Sequence, residues 1–177
     1  DHHPDGFYHK GHPNTNILPA RPYAVPYRAL YSKNVENLFF AGRNISMTHM
    51  AMSSMRVMAT CSLLGEAVGK AAAVATKNGY TPHDVYLNDK DLLQTLLMNE
   101  DCFLPSKTRK ISEICKTAEL NIKNDIIRNG QDRAHRIYET NEQNFAYFAN
   151  KNEQVSYSFE PSQIDSVHVV FDSDINR

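Results

Sequence analysis

The residues best placed to do chemistry lie in one stretch, "NLFFAGRNISMTHMAMSSMRVMATC", from Asn37 to Cys61. Gly42 ends a short apolar run, and a glycine there lets the backbone come close to a ligand. Arg43 follows it directly, and His49 and Arg56 stand farther along. A histidine can take or give a proton near neutral pH. An arginine beside a helix start is unfavourable by a few tenths to about 1 kcal/mol, and an anion placed between the two reverses that sign. Unpaired amides at a helix start add donors and about half a positive charge. Together the glycine bend, helix mouth, guanidinium and imidazole suit an anionic or electron-accepting ligand. Each has a bland reading as well: a loop histidine, a solvated or ion-paired arginine, a core helix.

Those side chains need elements to hold them. "NLFFAG" is a continuous apolar run ended by glycine, the profile of a strand buried on both faces. Behind it, Ser53 or Ser54 caps a helix that runs without proline from Met55 to Lys77 and closes at Asn78-Gly79. Gly65 and Gly69 fall one turn apart within it. Each interior glycine costs about 1 kcal/mol relative to alanine, so the pair predicts a close backbone neighbour. Thr81-Pro82 opens a short helix. Asn88 caps "DKDLLQTLLMNE", where Leu92, Leu93, Leu96 and Leu97 form one apolar stripe. Upstream, Asp5-Gly6 and Pro13-Asn14 read as turns, and "PYAVPYRALYSKN" as one or two extended pieces. Tyr23, Tyr27 and Tyr31 recur every four residues and read as packing, as does the methionine series from Met47 to Met58.

"FLPSKTRK" reads as a linker, and from about Glu119 the pattern changes. "EQVSYSFE" and "IDSVHVVFD" alternate polar and apolar residues as strands do, and "NGQDR" is a turn. Charge is balanced, with 19 basic and 20 acidic residues, which argues against a sequence-independent grip on nucleic acid. No stretch is apolar enough for a membrane span, since Arg56, Glu66 and Lys70 interrupt the long helix. Cys61, Cys102 and Cys115 lack metal-ligand spacing, so no metal site is expected, and Cys61 reads as a buried thiol.

The stretch "VPYRALYSKNVENLFFAGRNISMTHMAMSSMRVMATCSLLGEAVGKAAAVA" resembles the C-terminal cofactor-binding segment of bacterial FAD-dependent oxidoreductases, in the glutathione-reductase-type flavoprotein superfamily. The resemblance rests on Pro26-Tyr27-Arg28, Asn37 to Arg43, Ser46 to His49, Arg56-Val57-Met58, and the small-residue spacing from Gly65 to Ala73, and spans roughly residues 1–104. It implies that Gly42 and Arg43 lie along the FAD pyrophosphate and ribityl region. It also implies that Ser54, Met55, Arg56 and Val57 set the helix start against the flavin's pyrimidine edge, mainly through backbone. A small-molecule substrate would then sit near His49 and Arg56, the two candidate catalytic residues. His2 and His3 match an H-P-x-G element of the same family.

The ADP-binding G-x-G-x-x-G of that family has no counterpart among the seven glycines. The expectation is therefore the C-terminal part of a larger flavoprotein, lacking an N-terminal dinucleotide-binding region. Alone it would hold FAD poorly and would tend to self-associate through an uncovered helix face. The tail resembles galactose-binding-like β-sandwich modules, though it has no Trp. The whole reads as an α+β fragment. Residues 1–105 are a strand–loop–long helix piece of an FAD-binding α/β domain, 106–118 a helical linker region, and 119–177 an incomplete antiparallel β-sandwich. The function this implies is hydride transfer between FAD and a small, possibly carbohydrate-related, molecule. The competing class is a non-catalytic carbohydrate-associated binding protein with a degenerate flavin site.

Overall fold

Local chemistry in the sequence sets several of the helix ends. In a computed structural model, residues 23–131 and 146–171 are described. His2, His3, the two early turns and part of the alternating tail lie outside them. The described chain is mostly helical with one small antiparallel sheet, an α+β arrangement. It divides into two units, Asp1–Cys102 and Phe103–Arg177.

In the first unit a single 3-10 turn, Tyr27–Leu30, follows an extended Pro26. Tyr31 then bridges Phe39 in one antiparallel pair. The buried strand expected at "NLFFAG" is thus no more than this bridge, and Phe39 and Phe40 are only half-buried. A second 3-10 turn, Gly42–Asn44, leads toward α1 (His49–Met55), which Thr48 caps by accepting from the Ala51 amide. The long helix α2 spans Met58–Asn78.

These bounds correct the expected helix start. Ser53 and Ser54 lie inside α1, and Val57, in extended conformation, is the N-cap of α2. The two helices bend by 96° at Arg56-Val57. Among the described residues no single helix is long and apolar enough to cross a membrane, and α1 with α2 reaches that composition only across this bend.

The other end of α2 forms as its sequence predicts. Gly79 takes φ +67°, and the Tyr80 amide reaches back to the Ala75 carbonyl at 2.9 Å. Thr81 and Asp84 form a reciprocal capping box at the start of α3 (Pro82–Asn88), with Pro82 in its first turn. Asn88 does not cap the next helix: α3 continues through it, and α4 (Lys90–Asn99) begins after Asp89. The Asp89 carboxylate accepts instead from the Asn78 side chain at 3.0 Å, tying two helix ends together. Of the expected leucine stripe, Leu93 and Leu97 are buried while Leu92 is 46 % exposed.

Apolar packing joins the pieces into two patches. Leu30, Ile45, Met55 and Leu64 form one, with Tyr27, Phe40 and Met47 against it. Val74 and Ala75 of α2, Val85 of α3 and Leu93 and Leu97 of α4 are buried farther along. Among the described residues, the close neighbour expected for Gly65 and Gly69 is not found. Both are exposed, and a Cβ added at either would meet nothing within 4 Å.

Asp84 gives the capping box a pH dependence. The Thr81 hydroxyl and amide donate to its carboxylate at 2.7 and 2.9 Å, and these bonds hold its pKa below the ordinary 3.8. A lowered carboxylate pKa contributes stability that is complete above the ordinary value and disappears as pH falls through the lowered one. Asp84→Asn should therefore lower the melting temperature at neutral pH. It should also flatten the loss of melting temperature seen on acidification below about 3.8. Thermal melts across that range check both.

The second unit is built differently. Ser112 caps α5 (Glu113–Thr117) by accepting from the Cys115 amide. Arg128 donates to the Cys115 and Ala118 carbonyls at 3.1 and 2.7 Å, placing a cation at the C-terminal end of α5. Strands β1 (Glu119–Leu120) and β2 (Tyr157–Ser158) pair antiparallel. Of the incomplete sandwich expected over 119–177, the described residues show this one pair of short strands, and the expected strand at "IDSVHVVFD" is unpaired over its described residues. Val167 and Phe171 there are 82 % and 80 % exposed. Alternation proposes a strand, but only a neighbouring ladder makes one.

Candidate functional site

The site grows from two bends that meet on α2. The first is the Gly42 turn. Gly42 has φ +82°, a conformation open to glycine and strained for other residues. Its inner side faces α2, where a Cβ at Gly42 would come within 4.0 Å of the Cys61 side chain. Arg43, next in the turn, is exposed. Ile45 just after it is buried in the core patch, which anchors the turn.

The second bend is the α1–α2 elbow. Met55 is its inner anchor, 8 % exposed and packed with Leu30, Ile45 and Leu64. Arg56 ends α1, its amide donating to the Met52 carbonyl at 3.2 Å, and its side chain is exposed. Val57 then takes the N-cap position of α2 without any side chain able to accept from the helix amides. The mouth of α2 is open: Val57 is 51 % exposed and Met58 90 %. Neither α1 nor α2 carries an acidic residue in its first turn. The partial positive charge of the α2 start therefore stands beside Arg56 without a carboxylate on its own first turn.

The predicted residues divide accordingly. Gly42 and Val57 contribute backbone. Met55 points its side chain into the core, and its carbonyl accepts from the Cys61 thiol. Ser54 is not at the helix mouth but in the last turn of α1, donating to the Ala51 carbonyl at 3.2 Å and bonded to the Tyr23 hydroxyl. His49 is the exposed first residue of α1 and Arg56 follows its last. At 1.5 Å rise per residue the helix sets their backbones about 10 Å apart along its axis.

Sequence reasoning missed two features. One is Cys61, whose Sγ donates to the Met55 carbonyl at 3.6 Å across the elbow. The other is an aromatic cluster away from the elbow. Tyr27 packs on Tyr31 at 5.4 Å and lies nearly parallel to Tyr86, and the Tyr31 hydroxyl meets His83 Nδ1 at 2.9 Å. The Tyr27 hydroxyl donates to the Pro82 carbonyl at 3.0 Å. Burial, and then the neighbouring Tyr31, push its pKa well above the ordinary phenol range, so it remains a donor. The four-residue tyrosine spacing signals packing by Tyr27 and Tyr31, but nothing in it points to His83 and Tyr86, which complete the cluster. Among the described residues, no three His, Cys, Asp or Glu side chains group as metal ligands would.

Comparison with known proteins adds one match. A family model described as FAD dependent oxidoreductase matches residues 1–97, more than half of the chain. No curated protein and no solved structure matches the chain.

Proposed function

The chain belongs to the FAD-dependent oxidoreductase family, whose cofactor is FAD, and on that premise we propose that the open mouth of α2 is the flavin end of the cofactor site. The observation that carries this reading is the missing cap. A helix of 21 residues begins with a valine at N-cap, no acidic residue in its first turn and an exposed first residue. Uncapped amides at an exposed helix start suit a ligand that brings its own acceptors. The donor set fits FAD at its anionic edges: helix amides and Arg56 for the ring's pyrimidine side, and the Gly42 turn with Arg43 for the phosphate and ribityl side.

When bound, FAD supplies the acceptance and return of a hydride. The protein's own groups do the rest. The amides of Met58 and Ala59 and the Arg56 guanidinium stabilise negative charge at the mouth of α2. Gly42 leaves room for close backbone approach. His49, about one helix length from Arg56, is placed to move the substrate's proton at its imidazole nitrogen while Arg56 orients an oxygen-bearing group. This division supports a small, oxygen-rich donor such as an alcohol or hydroxy acid, with carbohydrate-related molecules within that class.

The test uses the complete protein. It should purify with a flavin absorbance band that a substrate donor bleaches. His49→Ala and Arg56→Ala should each slow substrate bleaching by about a hundredfold, the low side of what a positioned acid, base or charge contributes, while bleaching by dithionite is unchanged. A colourless protein that takes up no added FAD overturns the reading of the site. Variants that bleach like the parent overturn the roles of the two residues.

A further inference from the structure

The Gly42 turn and the α1–α2 elbow are apart in sequence, yet one side chain is bonded to the second and faces the first. Cys61 lies within the first turns of α2 and is half-buried. Its thiol donates to the Met55 carbonyl at 3.6 Å. That carbonyl ends α1, where a helix leaves its acceptors without intrahelical partners. On the other side, the Cys61 side chain faces the Gly42 turn: a Cβ built on Gly42 would fit between them, 4.0 Å from both the Cβ and the Sγ of Cys61. Among the described residues, its chain neighbours apart, no other heavy atom comes that near to it.

We propose that Cys61 is a positioning residue. Its sulfur fixes the end of α1 while its side chain packs beneath the Gly42 turn, so that the turn bearing Arg43 and the elbow bearing Arg56 and Val57 hold one spacing. The importance of that spacing for FAD rests on the reading of the α2 mouth given above. The contacts separate this role from simple filling. A filler would be replaceable by any side chain of similar volume, whereas the positioning role needs a donor toward Met55 and a small body toward Gly42. Serine keeps the donor on a shorter arm, alanine removes it, and valine keeps bulk without a donor.

Hydrogen–deuterium exchange on the complete protein tests the coupling without relying on the cofactor. Cys61→Ala should speed exchange in peptides covering residues 42–46 and 55–61 together, by about three- to tenfold, the range of one lost hydrogen bond. Peptides covering α3 and α4 should stay as they are. Cys61→Ser should recover part of the protection in both peptides and Cys61→Val in neither. Exchange that rises in one peptide alone, or in none, overturns the proposal, as does full recovery by valine. In the FAD-loaded protein Cys61→Ala should weaken FAD by a similar factor and shift the visible flavin band, again with partial rescue by serine. Coupled exchange with unchanged FAD affinity and spectrum would remove the link to the cofactor. A parent protein that binds no FAD, yet shows the coupled exchange, would uphold the positioning role and refute the flavin reading instead.

Discussion

Gly130→Ala is expected to destabilise the segment around residues 109–131 by about 3 kcal/mol or more, the largest stability loss of any glycine substitution in the described chain. Two costs coincide there. Gly130 has φ +74°, and a non-glycine residue in that region costs roughly 1–2 kcal/mol. A Cβ would also stand 2.5 Å from the Arg109 carbonyl oxygen and 3.2 Å from its amide nitrogen. Those are backbone atoms, so a side chain cannot rotate aside; the strand of chain must move. Moving it breaks the bond from the Arg109 amide to the Gly130 carbonyl, now 2.8 Å, worth about 0.5–1.5 kcal/mol.

Two other glycines serve as internal controls. Gly79 has φ +67° but open space around it, so Gly79→Ala should cost only the conformational strain, about 1–2 kcal/mol. Gly65 is helical with nothing within 4 Å, and Gly65→Ala should stabilise by about 0.5–1 kcal/mol. Native-state hydrogen exchange resolves each locally. A Gly130→Ala loss no larger than that at Gly79 would mean that the Arg109 approach is absent in solution.

What could be read from the sequence follows how local its cause is. Gly79 and the Thr81-Pro82 helix start were legible because each end is set by residues within a few positions, through positive φ or a side-chain cap. The elbow was not legible. Neither glycine nor proline marks Arg56-Val57, and Ser53 and Ser54 look like caps. The bend instead accompanies burial of Met55 against Leu30, Ile45 and Leu64, which is tertiary information. Asn88 failed for a related reason, since Asp89 is engaged by Asn78 from another helix. Gly65 and Gly69 misled because a small residue states what a surface permits, not what covers it.

The site itself was half legible. Gly42 and Arg43 stand in the turn that the glycine marks, whereas Arg56 and Val57 stand at an elbow where the sequence reading has one continuous helix. The tail's alternation was weaker still as a guide: β2 forms within one such run, while Val167 and Phe171 of another remain exposed without a ladder.

Val57→Asp is expected to act in opposite directions on stability and on cofactor affinity, and this makes it the sharpest probe of the proposed site. Val57 already has N-cap geometry, φ −71° and ψ 148°, and is 51 % exposed, so little burial is lost by replacing it. An aspartate there would accept from the first-turn amides of α2 and raise apoprotein stability by about 0.5–2 kcal/mol. The same carboxylate would occupy the donors assigned to FAD and bring a negative charge against its anionic edge. A hydrogen bond to a charged group is worth about 1.5–3 kcal/mol, so FAD affinity should fall by roughly thirtyfold or more once the added repulsion is included.

Val57→Ser separates the two contributions. It caps without charge, so it should give a similar gain in stability and a smaller loss of affinity. Chemical denaturation of the apoprotein and fluorescence titration with FAD measure the pair of effects on the same samples. If both variants gain stability and both bind FAD as the parent does, the α2 amides are not facing the cofactor, however open they stand. If neither gains stability, the amides are already satisfied, and the missing cap loses its meaning. Only a gain in one quantity with a loss in the other is consistent with a helix mouth left uncapped for a ligand.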